Sequence, residues 1–188
     1  ITVSIAGQKA GTTTGKNGQW RVDLEPMIPG QTHTLTVKGK NTVTAKDVLI
    51  GDVWLGSGQS NMAMRVASSN DYDKEKQEAN HPGIRMFTVS SGTALEPAAD
   101  CRGKWVICSP DTVGGFSATA YFFGRELHDK LNVPVGLINS SVGGTPIEAW
   151  ISRSAQHAAP SVSSVLHTWR TRVTTAAGAP ADKAAAWP

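Results

Sequence analysis

The chain has 188 residues, of which 39% are apolar, with 19 glycines and 10 prolines, room for one full domain or a small domain with part of another. Its formal charge of +3 is dispersed, and the densest charged run, residues 71–78, mixes both signs, which excludes the concentrated basic stripe that nucleic acids require. No apolar stretch is long enough to span a membrane.

Residues 1–47 read as all-β. Ile1, Val3 and Ile5 alternate, as do Trp20, Val22 and Leu24, then Leu35 and Val37, with GQKAG, GKNG, PMIPG and KGKN as turns between them. So thin a core is expected to be a partial β domain leaning on its neighbour. The opening ITVSIAGQKAG carries no basic-then-apolar leader, so a targeting segment is expected to have been removed or to lie upstream.

From residue 48 the pattern becomes strand, turn, helix. LIGDVWL reads as a buried strand, IRMFTVS (84–90) as a second and KWVICS (104–109) as a short edge strand. FSATAYFFGRELHDKL (116–131) is the clearest helix, with Phe116, Ala120, Phe123, Leu127 and Leu131 on one face. VPVGLINS (133–140) follows as a strand covered on both sides, an order that argues for a parallel α/β sheet. SVSSVLHTWRTR would make one helix, and TTAAGAPADKAAAWP reads as a loop or exposed end. The boundaries are thus 1–47, 48–155 and a weakly structured 156–188.

Cys101 and Cys108 stand too far apart for a redox CxxC pair. Either a local disulfide clips a hairpin, which would favour an oxidising, secreted or periplasmic compartment, or the two are independent thiols. Without clustered histidines they are too few for a metal site.

Ser60 is the first candidate for chemistry. GSGQSN follows an apolar strand, and Gly56 and Gly58 permit a tight, open turn. A serine there meets the unpaired amides of a helical first turn, which stabilise developing negative charge, although the same residue also serves as an ordinary N-cap. Position 62 is Met, so this is not the G-x-S-x-G elbow. The second candidate is NSSVGGTPIEAW (139–150), where Gly143 and Gly144 expose amides. There Thr145, Pro146 and Glu148 form a capping box opening a short helix. Two such turns leaving neighbouring strands would share the ligand-binding edge of an α/β sheet. Asn61 and Asn139 are supporting donors or plain turn caps, and Asn139-Ser-Ser is also a weak glycosylation sequon. None of His33, His81, His128, His157 and His167 is well placed as a base; His81, in Glu78-Ala-Asn-His81-Pro82, follows a solvent-like charged stretch.

Together, GDVWLGSGQSNMAM, FSATAYFFGRELHDKL and PVGLINSSVGGTPIEAW resemble the sialate O-acetylesterase family of SGNH hydrolases over roughly residues 48–153. The resemblance implies a three-layer α/β/α sandwich with Ser60 as nucleophile. The amides of Ser60 and of Gly144, with Gly143 beside it, would form the oxyanion hole, and no metal or organic cofactor would be needed. Gly56 and Val142 depart from the family's usual Cys and Trp. The family's later Gln-Gly-Glu and Asp-x-x-His segments have no counterpart. The expectation is therefore an N-terminal portion only: an incomplete sandwich preceded by a small partial β domain, with a second polypeptide supplying the Asp-x-x-His. The function expected is serine esterase removal of O-acetyl groups from sialic acid or another acetylated carbohydrate. The alternative is a catalytically inactive glycan-binding module.

Overall fold

A computed structural model describes residues 1–90 and 98–159. The helix expected from SVSSVLHTWRTR, the loop after it and His167 lie outside the described residues, as does the side chain of His157.

The N-terminal part is a four-stranded antiparallel sheet of β1 (Thr2–Ile5), β2 (Gln8–Gly11), β3 (Thr32–Lys38) and β4 (Thr42–Leu49), in the order β2-β1-β3-β4. Val3 and Ile5 are its buried residues, as alternation in a half-buried strand requires. Two expectations fail here. QKAG is strand β2, because the turn is made by Ala6 and Gly7 at positive φ. Trp20, Val22 and Leu24 alternate but lie in no strand, and Trp20 is exposed.

The second sheet has the order β5-β8-β6-β7, with β5 at Asp52–Gly58, β6 at His81–Thr88, β7 at Trp105–Cys108 and β8 at Val135–Ser141. Strands β5, β8 and β6 are parallel, and β7 closes the edge antiparallel to β6. Helix α3 (Ala118–Leu131) packs on β8 and β6, burying Ile84, Met86, Val135 and Leu137 beneath it. Each such side chain contributes about 1.5–3 kcal/mol on burial. Close approach of helix and sheet depends on Gly124, where a Cβ would lie 2.6 Å from Leu137 Cδ1. That contact turns the buried face of α3 to Ala118, Ala120, Tyr121 and Gly124, leaving Phe123 and Leu131 exposed. Of the expected face, Phe116 and Ala120 are buried and Leu127 packs on the core, whereas Phe123 and Leu131 do not, because the spacing of large residues missed a glycine seat. The run LIGDVWL is likewise not a buried strand. It breaks at Ile50 and Gly51, and β5 is an edge strand with Val53 and Leu55 exposed.

The other α-helices of the described chain are short: α1 (Ser60–Ala63), α2 (Tyr72–Glu78) and α4 (Arg153–Ala158). Helix α3 contacts β8 and β6, and α1 contacts β5 and β8. The expectation that the sandwich is incomplete in this chain is not met. Strands and helices run from Thr2 to Ala158, nearly the whole described length, and nothing in them marks a truncated domain. A bidentate ion pair, Asp47 to Arg85 at 2.5 and 3.0 Å, joins β4 to β6, and the Arg85 hydrogen bond holds the Asp47 carboxyl below its ordinary pKa. Cys101 is an exposed free thiol and Cys108 a buried one, and no disulfide joins them in this structure. Burial pushes the Cys108 thiol up to about 11, leaving it inert.

Candidate active site

The two glycine-rich turns meet. Strands β5 and β8 are neighbours in unbroken parallel register from Asp52↔Val135 to Gly58↔Ser141, so both turns leave the same end of the sheet. The Val142 amide donates to Gly58 O at 3.0 Å, tying one turn directly to the other. A Cβ on Gly143 would lie 3.8 Å from the Ser60 Cα, so the Gly143–Gly144 backbone borders the serine. Gly58 and Gly144 have φ of 137° and 79°, a region that side chains disfavour.

Ser60 is exposed and is the first residue of α1, not its cap. The cap is Gln59, whose Oε1 accepts from the Ser60 amide at 3.1 Å and from Ser60 Oγ at 2.6 Å. One carboxamide oxygen thus occupies both the serine's proton and the amide expected to stabilise an oxyanion. The turn is held from below by the start of α3. Ser117 Oγ donates to Met62 O at 2.6 Å, Thr119 Oγ1 to Asn61 O at 2.8 Å, and the Ala118 amide to Met64 O at 2.8 Å. Ser117 also caps α3 by accepting from the Ala120 amide. Asn61 is exposed beside the serine. Asn139, paired with Gly56 across the strands, is 8% exposed and accepts from Ser141 Oγ at 2.6 Å, which leaves no room for a glycan on the sequon.

The second turn is built differently from the capping box expected of it. Residues 147–150 form a 3-10 turn preceded by Pro146, and Thr145 caps nothing. Its hydroxyl donates back to Val142 O at 2.7 Å and accepts from Trp150 Nε1 at 2.9 Å. Gln156, from α4, is 2% exposed and donates from Nε2 to Glu148 O and Ile151 O. Gln59, Ser117 and Gln156 were not among the sequence candidates. Ser117 was detectable as a serine opening a helix, and Gln59 as the serine's neighbour, whereas no local pattern marks Gln156.

Among the described residues no histidine hydrogen-bonds Ser60. His81 begins β6 at the opposite end of the sheet, packed on the Tyr121 ring, and His128 Nδ1 contacts Val133 O. His33 lies on β3 of the other sheet. No group of three potential metal-ligating side chains occurs among the described residues, and no helix there is long and apolar enough to cross a membrane.

A largely parallel α/β sheet with an exposed serine opening a helix at its C-terminal edge, bordered by a second glycine turn, places both turns where open α/β sheets bind their ligands. The family model described as carbohydrate esterase, sialic acid-specific acetylesterase, matches residues 50–176, and the chain belongs to that family. It is 41% identical over 162 residues to a sialate O-acetylesterase of Rattus norvegicus, covering 79% of this chain and 30% of the relative. With the human sialate O-acetylesterase the identity is 38% over 159 residues, covering 77% and 30%. The crystal structure of a carbohydrate acetylesterase from Xanthomonas citri superposes with a TM-score of 0.79 at 36% identity, over 81% of this chain and 36% of that one. The chain therefore spans about 30% of the length of these curated relatives.

These matches correct two expectations. The kinship is not confined to an N-terminal portion ending near residue 153: the family match runs to residue 176, and the structural match covers most of the chain. The expected second polypeptide is also overturned. In each relative the matched segment is part of one longer continuous chain, so the family does not call for a separate catalytic partner.

Proposed function

We propose that Ser60 is the nucleophile of a carbohydrate O-acetylesterase and that the Ser60, Gly143 and Gly144 backbone forms its oxyanion pocket. The observation carrying this reading is the junction of the two turns, with the Val142 amide on Gly58 O and Gly143 against the Ser60 Cα. Ser60 Oγ attacks the acetyl carbonyl as its proton passes to a general base that replaces Gln59 Oε1 as acceptor. The carbonyl oxygen, now negative, takes the Ser60 and Gly144 amides, the former freed when Gln59 turns away. Losing one such donor costs about 3 kcal/mol in the transition state. The tetrahedral intermediate collapses, the sugar oxygen leaves with the proton, and water then releases acetate from the acetyl-serine. No cofactor enters these steps. An acetylated sugar, sialic acid or another, is the substrate class consistent with the relatives named above. Kinship with this esterase family supports a secreted or periplasmic setting, to which the free thiols add nothing.

Ser60→Ala should lower aryl acetate hydrolysis by a factor on the order of 10⁴ or more, while circular dichroism and Tm stay unchanged because the side chain is exposed. Undiminished turnover would sink the assignment. One observation favours the rival, a glycan-binding module without acyl transfer: the Ser60 hydroxyl donates to an amide oxygen and not to a base. Wild-type protein that binds acetylated glycan yet releases no acetate would establish the rival.

A further inference from the structure

We propose that Gln156 is the positioning residue that holds the Gly143–Gly144 loop in register with Ser60, an inference that rests on the esterase reading of the same site. The loop cannot hold itself by burial. Val142, Gly143, Gly144, Pro146 and Ile147 are all exposed, Ile147 at 69%. Its shape is kept by hydrogen bonds in series, and Gln156 stands at their end. The buried carboxamide donates from Nε2 to Glu148 O at 2.7 Å and Ile151 O at 2.6 Å, which fastens both ends of the 3-10 turn 147–150 to α4. That turn places Trp150, whose Nε1 donates to Thr145 Oγ1 at 2.9 Å. Thr145 donates to Val142 O at 2.7 Å, and the Val142 amide donates to Gly58 O at 3.0 Å, two residues before Ser60.

The orientation of the amide follows from its partners. Turned over, Gln156 would set its oxygen against two carbonyl oxygens, whereas in the observed orientation both receive a donor. The consequence is that Oε1 is buried without a partner among the described residues. A buried acceptor left unsatisfied is a cost, and it is borne at a residue whose two donated bonds close the loop. Among the described residues no other side chain donates to either carbonyl. Oxyanion donors act only when preorganised at the reacting carbonyl, and small misplacements are felt strongly in rate.

Gln156→Met tests this, because methionine keeps the length and bulk of glutamine and lacks the donors. Amide exchange at Val142, Ala149 and Ile151 should rise about tenfold or more while exchange within β5 and β8 stays at its wild-type level. In aryl acetate hydrolysis kcat should fall about tenfold with KM nearly unchanged, the split expected when an oxyanion donor is displaced and substrate binding is not. Gln156→Leu, equally without a donor, should lose at least as much. Wild-type exchange in residues 142–151 of the Met variant would overturn the proposal. So would faster exchange at unchanged kcat, since Gln156 would then be structural only. Ser60→Ala, run alongside, keeps the two readings apart. A dead Ser60→Ala with a fully active Gln156→Met overturns the clamp and keeps the esterase. Turnover surviving in Ser60→Ala overturns the esterase, and the exchange pattern then decides alone whether Gln156 holds the loop.

Discussion

The two glycine turns leave the same edge of the same sheet by neighbouring parallel strands, yet they are held in place by unlike means. The Ser60 turn stands on α3, where Ser117, Ala118 and Thr119 donate to the carbonyls of Met62, Met64 and Asn61. Those anchors sit at the start of a 14-residue helix packed into the core, so the turn inherits the rigidity of the fold. The loop carrying Gly143 and Gly144 is exposed and is held by three side chains in series, Thr145, Trp150 and Gln156. One half of the site is thus positioned by the core and the other by a local hydrogen-bonded frame. Damage to the two halves should therefore look different: stability should suffer on one side and rate on the other.

The strongest test of that division is Gly144→Val. With φ at 79°, a β-branched side chain forces the backbone out of its present shape and takes the Gly144 amide with it. We expect kcat to fall about 100-fold, the loss typical of a displaced oxyanion donor, with Tm nearly unchanged. A large fall in Tm would break the comparison, since the loop would then be part of the cooperative core. Ser117→Ala should show the reverse. It removes the cap of α3 and the bond to Met62 O together, costing about 1–2 kcal/mol and a few degrees of Tm, while Thr119 and the Ala118 amide still hold the turn. A loss of kcat exceeding its effect on stability would show that the turn is less firmly seated than described.

The smallest effect is expected at the far end of the sheet. His81 is partly buried on Tyr121 with Nε2 unpartnered, and burial holds its pKa below the ordinary 6.5, with Asp129, Arg125, His128 and Glu75 acting in smaller and opposing ways. The folded state therefore favours the neutral ring. Its contribution is fully present above the unfolded value and is lost as pH falls through the folded one. Tm should drop modestly between pH 7 and pH 5, and His81→Leu should flatten that slope without altering turnover at pH 7. A slope that persists in the variant would assign the pH dependence to other groups.

Both turns and the parallel order of the strands were legible in the sequence because each is coded locally, by glycines after an apolar run and by strand–helix–strand spacing. The helical face of α3 was right at Phe116, Ala120 and Leu127 and missed at Phe123 and Leu131 for a related reason. Periodicity counts large residues, whereas the sheet packs against Gly124, which carries no apolar signal. LIGDVWL looked central because its composition is apolar, but composition does not say whether a strand has neighbours on both sides. Thr145, Pro146 and Glu148 spell a capping box, and Trp150, five residues on, draws the threonine hydroxyl elsewhere.

What the sequence determined by itself is therefore the local chemistry: a serine at the opening of a helix, two glycine turns, and the alternation of strands and helix that brings both turns to one edge. Only the tertiary structure decided which groups hold those turns. Gln59 on the serine hydroxyl, Ser117 beneath the turn and Gln156 under the second loop act through a few directional bonds, to partners one residue away, 55 residues away, and five and eight residues away. Such bonds leave no periodic trace in the chain, because a hydrogen bond across the fold constrains a position in space and not a pattern in sequence.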